Sequence, residues 1–162
     1  MPNHSNCPSI KSLVIPITMG NLIVPNNLMA AMIHIDYQDD IHLVNWLEWH
    51  GRRIPLIAIE SLCMLDNNYS AQKHCVILHT LLDNEELAFI AIQTKGSPHT
   101  LEVSEEALRD DHKKNKQRCP YIASHVRVGN IPCMVPDLPA IETVILEMMQ
   151  LESETANSDE NE

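Results

Sequence analysis

The sequence predicts a mainly β fold, built from antiparallel hairpins and closed by one C-terminal helix, on three observations. Two Gly-Asn dipeptides each separate apolar runs, two further pairs of apolar runs flank polar turns, and a single late stripe repeats at helical spacing. Four hairpins with so little helix favour a barrel or sandwich over a parallel α/β sheet. A chain of 162 residues holds one domain with a sizeable core, or two small barrels that share one.

The elements follow in order. The first hairpin is Leu13–Met19, a turn at Gly20-Asn21, and Leu22–Val24; Gly supplies the positive φ that a tight primed turn requires. Asn27–Ile33 reads as a short helix capped by Asn26 or Asn27, with Leu28 and Met32 on one face. The next hairpin runs Trp46-Leu47-Glu48-Trp49, turns at His50-Gly51-Arg52, and returns as Arg53–Ile59. Asp66–Lys73 is polar and marks a connection or boundary. Cys75–Leu82 and Leu87–Ile92 form a hairpin around Asp83-Asn84-Glu85-Glu86, apolar at nearly every position and so buried on both faces. Ser104–Gln117 is highly charged and suits either a surface helix or an extended loop.

The closing hairpin is His125–Val128, Gly129-Asn130, Ile131–Val135. Pro16, Pro25, Pro132 and Pro136 lack the backbone N–H a central strand donates, which puts their hairpins at sheet margins. Asp137 then caps a helix whose stripe is Leu138, Ile141, Val144, Ile145, Met148 and Leu151.

Composition narrows the function classes. The formal charge of −11 includes five acids and no base in Glu152–Glu162, a stretch too polar to offset its own ordering entropy and therefore expected to be disordered. An acidic chain lacks the footprint of a nucleic-acid binder, and its one basic cluster, Lys113, Lys114, Lys116 and Arg118, sits beside Asp110 and Asp111. The N-terminus carries no signal-peptide pattern and no apolar run reaches the ~20 residues of a membrane span. Cysteines at 7, 63, 75, 119 and 133 show no close pairing and fit buried thiols in a reducing compartment, which predicts a cytoplasmic protein.

Chemistry is sparse in the same sense. Nine histidines and five cysteines form no Cys-x-x-Cys and no credible helical His pair, so no metal and no other cofactor is expected. Glycines at 20, 51, 96 and 129 are too dispersed for a phosphate cradle. Asp39-Asp40 and Glu85-Glu86 read as solvated loop carboxylates. The enzymatic alternative is a thiolate on Cys133 or Cys63 activated by a nearby histidine such as His125; buried cysteines acting as small hydrophobes are the plainer reading. In the tryptophan strand, Trp46 and Glu48 face one side, Leu47 and Trp49 the other, so that one Trp fills core and the other can anchor a partner.

The segment WLEWHGRRIPLIAIE, Trp46–Glu60, resembles the CheW-like adaptor family of bacterial chemosensory systems, in which a strand meets a basic residue and Gly, then a Pro leading a second apolar strand. LVIPITMGNLIVP resembles that family's opening hairpin, LLDNEELAFIAIQ its central one, and VRVGNIPCMVPDLPAIETVIL its closing hairpin and helix. The Trp-rich strand and the prolines of the first strands look closest to the ChpC and PilI type adaptors of type IV pilus twitching motility. His50 stands where the family has Arg, Ala58 precedes Ile59 where it has Asp, and Ile92 lies near the place of another Asp.

The resemblance implies two small five-stranded SH3-like β-barrels on a shared core over residues 13–151, with a flexible 1–12 and a disordered acidic 152–162. It implies a non-catalytic scaffold that binds the regulatory domain of a CheA-type histidine kinase and the cytoplasmic tip of a chemoreceptor, recruited to receptor arrays without inserting into the membrane. Carried over position by position, the partner-binding residues are Trp46, Trp49, His50, Gly51, Arg52, Arg53 and Pro55. Gly51 and Pro55 shape the hairpin, and His50 with Arg52 or Arg53 supplies polar contacts.

Overall fold

The computed structural model describes residues 8–35, 44–63, 73–113 and 119–160. Two antiparallel-rich sheets and one long helix make up the described chain, as the sequence predicts. The strands are β1 (Ser9–Ile17), β2 (Gly20–Pro25), β3 (Met29–His34), β4 (Val44–Trp49), β5 (Arg52–Ile57), β6 (His74–His79), β7 (Phe89–Thr94), β8 (His99–Ser104), β9 (Leu108–Asp110), β10 (Ile122–Val128) and β11 (Ile131–Pro136). The helices are α1 (Ile59–Leu62) and α2 (Leu138–Asp159).

One sheet has the order β8-β1-β2-β11-β10-β9, so it holds six strands where five were expected; the other has five, in the order β3-β6-β7-β5-β4. The sixth strand is β9, which lies inside the charged 104–117 segment and pairs Leu108–Asp110 with Val126–Val128. The five-stranded sheet comes from one continuous stretch of chain, and the six-stranded sheet from the segments on either side of it.

Strand alternation builds three apolar clusters from these two sheets. Leu13, Ile15, Leu22 and Val24 face inward against Ile57, Val76, Leu78, Ile90 and Ile92 of the other sheet, with Leu138, Ile141 and Ile145 of α2 completing this shared core. Their neighbours point the other way: Val14, Ile23, Val103, Val126 and Cys133 form a second cluster within the six-stranded sheet. Ile54, Leu56, Cys75, Ile77 and Ala91 form a third within the five-stranded one. Each central strand is buried on both faces, which is why its sequence is apolar at consecutive positions.

The closing hairpin matches its predicted register, with Val128 opposite Ile131 across Gly129-Asn130; the tryptophan hairpin forms where expected but turns on His50-Gly51 alone, so that Arg52 joins the return strand opposite Trp49, and that strand ends at Ile57 with Ile59 opening α1. The opening hairpin is shifted. Its two turn residues are Thr18 and Met19, Ile17 pairs with Gly20, and Gly20 opens β2 at φ +145 with Met134 Cε 3.2 Å from where a Cβ would stand. The glycine thus serves close packing against β11 as well as its own φ.

The prolines do not mark sheet margins. β1–β2 and β10–β11 lie side by side in the middle of their sheet, joined by a parallel contact between Met134 and Leu22. Pro25 and Pro136 end their strands, and Pro16 lies beyond the last β1–β8 pair, Val14 with His99, so these three missing N–H groups fall where the neighbouring ladder has ended; Pro132 sits within β11, opposite Arg127.

Two segments take a different form from the one expected. Asn26–Leu28 makes only a single 3-10 turn, and Met29–His34 is a strand paired with β6, because cross-strand burial of Ala31 and Ile33 overrides the helix propensity of Met and Ala. The acidic stretch from Glu152 continues α2 as far as Asp159 with every residue exposed. A helix already nucleated by Leu138, Ile141 and Ile145 extends at little cost per residue. β1 likewise opens at Ser9, inside the stretch expected to be flexible. Asp66–Gln72 of the polar connection, Asp39-Asp40 and Lys114–Arg118 lie outside the described residues.

Two buried carboxylates tie these parts together. Glu60 of α1 accepts a hydrogen bond from the Thr18 N–H at 2.7 Å, fastening α1 to the β1–β2 turn. Glu142 of α2 accepts the N–H groups of Leu81 and Leu82, the latter at 3.0 Å, holding the chain that leaves β6. At the head of α2, Asp137 accepts the Ala140 N–H at 3.1 Å, as its N-cap position predicts.

Candidate functional site

The seven residues singled out in the sequence lie on the β4–β5 hairpin, whose outer strand β4 is an edge of the five-stranded sheet. His50 and Gly51 adopt φ values of 50 and 72, so the two-residue turn needs left-handed backbone at both positions. Glycine takes this freely. His50 is the one described non-glycine residue with positive φ, and its imidazole sits against Trp49 with ring centroids 4.5 Å apart.

Alternation along the hairpin sorts the set onto two faces. On one, the Arg53 guanidinium carbon lies 4.2 Å from the centroid of the Trp46 ring, a cation–π stack. Trp46, Leu47, Glu48, Gly51 and Arg53 line an open recess of about 300 Å³ along the hairpin. On the other face, Trp49 packs edge-on to Phe89 at 5.1 Å, Arg52 lies over the same Phe89 ring at 5.8 Å, and the His79 ring is tilted against it at 5.0 Å. Trp49 and Phe89 pack against the cluster inside the five-stranded sheet. Trp49 is therefore the half-buried core-edge tryptophan and Trp46, half-buried under Arg53, the outward one.

Arg52, Arg53, His50 and Gly51 are exposed. Pro55 is buried, directly across the two strands from Trp46. Phe89 and His79, absent from the sequence reading, join the site through β7, which runs parallel to β5 and antiparallel to β6. Their one local signal is that Phe89 is the chain's only phenylalanine; a parallel pairing over that distance has no turn to announce it.

The thiol chemistry is not assembled. Cys63 is bonded to Cys119 in a disulfide, against the expectation of unpaired thiols; the partners are 56 residues apart in sequence, so no spacing motif reveals them. Cys133 pairs in register with Val126 and points into the second cluster, whereas His125 pairs with Met134 on the opposite face. Burial pushes the Cys133 thiol upward and the Cys75 thiol up to about 12. At pH 8 the thiolate fraction of Cys75 is then about one in ten thousand. Iodoacetamide at that pH should leave Cys75 and Cys133 unmodified in the folded protein and label both in denaturant; labelling of either without denaturant contradicts this environment.

Among the described residues no three His, Cys, Asp or Glu side chains gather as a metal site, and no helix is long and apolar enough to cross a membrane.

No protein-family model matches the chain, and no curated protein matches it in sequence. Among solved structures, the scaffolding protein TtCheW from Thermoanaerobacter tengcongensis is similar over 85% of this chain and 90% of its own, with a TM-score of 0.61 and 9% identity. The likeness is one of fold and takes in most of both chains, including in this chain its two β-sheets and the C-terminal helix.

Proposed function

We propose that this chain is a non-catalytic scaffold of chemosensory signal transduction, linking the cytoplasmic tip of a chemoreceptor to the regulatory domain of a CheA-type histidine kinase. The observation that carries this reading is the agreement of the fold, over 85% of this chain, with that of a scaffolding protein. The partner surface is the β4–β5 hairpin. Two tryptophans with a guanidinium over Trp46 give it apolar area and positive charge on an otherwise acidic chain, the combination that anchors protein interfaces.

The protein acts in the cytoplasm at membrane-associated receptor arrays, in a pathway controlling type IV pilus twitching. That finer assignment rests on the Trp-rich strand and on prolines within the opening strands.

Binding titrations of the full chain against the kinase regulatory domain and the receptor tip from the same cells test the reading. Trp46→Ala should weaken at least one of the two by roughly 10- to 100-fold while leaving the circular dichroism unchanged. Unchanged affinity for both would remove the hairpin from the interface, and a wild-type chain that binds neither partner would overturn the scaffold reading. Cells lacking the gene should lose twitching; normal twitching zones would redirect the assignment to another motility system.

A further inference from the structure

The two sheets are joined covalently as well as through their shared core. Cys63 caps the C-terminus of α1, which leaves β5 of the five-stranded sheet, and Cys119 precedes β10 of the six-stranded one. Their Cα atoms are 5.3 Å apart. Both are only partly buried, at the rim of the shared apolar cluster. The described cysteines therefore sort into two kinds: Cys75 and Cys133 are buried free thiols, and the two within reach of solvent are bonded to each other.

We infer that Cys63–Cys119 is a thiol–disulfide exchange site that acts as a redox-responsive clamp between the two sheets. A dithiol reductant opens it in two steps. One reductant thiolate attacks either protein sulfur, forming a mixed disulfide and releasing the other as a thiolate that takes up a proton. The second reductant thiol then displaces the remaining protein sulfur, so the reductant leaves as a disulfide, having delivered two electrons and two protons. Oxidised glutathione reverses the balance.

The surroundings make this a switch rather than a requirement for folding. Without the bond, α1 is still held by Ile59 and Leu62 in the shared core and by Glu60 on the Thr18 N–H, and the chain before β10 by the Tyr121 carbonyl, which accepts the Asp137 N–H. Opening therefore loosens α1 and the approach to β10 while both sheets persist. Because α1 continues directly from β5, whose other end carries Arg52 and Arg53, the clamp adjoins the element that bears the candidate partner surface. The inference itself does not depend on the scaffold reading.

The test uses the full chain with Cys7→Ser, Cys7 lying outside the described residues. The protein is equilibrated in glutathione buffers spanning excess reduced to excess oxidised, quenched by alkylation, and mapped by mass spectrometry. The pair should pass from dithiol to disulfide within that series. Reduction should lower the thermal midpoint by roughly 5–10 °C and raise amide exchange in 59–63 and 119–122, with the central strands unaffected. A Cys63→Ser, Cys119→Ser double variant should match the reduced protein and ignore the buffer. Thiols free even in excess oxidised glutathione, a bond that stays closed in excess reduced glutathione, or loss of both sheets on reduction would each overturn the clamp.

Discussion

Replacing Glu142 with alanine should cost about 3 kcal/mol of unfolding free energy, read as a lowered urea midpoint at unchanged slope. The Glu142 side chain is fully buried on α2, and its two carboxylate oxygens accept the successive N–H groups of Leu81 and Leu82. Hydrogen bonds to a carboxylate contribute about 1.5–3 kcal/mol each, and truncation takes the acceptor from two backbone donors at once. Glu142→Gln should not restore the loss, because one end of the amide presents its own N–H groups to a backbone donor. A shift below about 0.5 kcal/mol for the alanine variant would mean that water replaces the carboxylate without penalty.

Ile57→Ala should be comparably damaging, by about 3–4 kcal/mol, within the usual range for truncating a buried isoleucine. Ile57 has no exposed surface, ends β5, pairs with Ile92 across the parallel β5–β7 contact, and lies in the cluster shared by both sheets. A cavity there is walled by strands of two sheets and cannot close without moving one against the other. Met32→Ala is the matched control: Met32 is 42% exposed on the edge strand β3, and its truncation should change stability by about 0.5 kcal/mol or less. Equal effects of the two substitutions in chemical denaturation would contradict a core held between the sheets.

The candidate surface survives translation from sequence to structure in part. The β4–β5 hairpin around Gly51 and the opposite facing of Trp46 and Trp49 follow from local chemistry: a strand alternates, and Gly supplies the positive φ of a turn; that Arg52 belongs to the strand and not to the turn is set by the pairing with Trp49. Phe89 and His79 enter the same surface only because β7 lies between β5 and β6, a neighbour relation no local signal encodes. Pro55, equally conspicuous in the sequence, is taken out of the surface by burial.

By itself the sequence determined the elements whose causes lie within a few residues: the existence of the hairpin around Gly51, the hairpin at Gly129-Asn130, the doubly buried strands β6 and β7, and the Asp137-capped helix. Tertiary structure alone decided the rest. It drew Met29–His34 into a strand, seated the proline-bearing hairpins at the centre of a sheet, carried α2 through the acidic stretch, and brought Cys63 within bonding distance of Cys119. Turn and cap preferences are set by the backbone of a few adjacent residues, whereas strand order, cross-strand burial and a bond spanning 56 residues exist only once distant segments share a core; the acidic turns of α2 are exposed throughout and follow only because the packed turns before them are already helical.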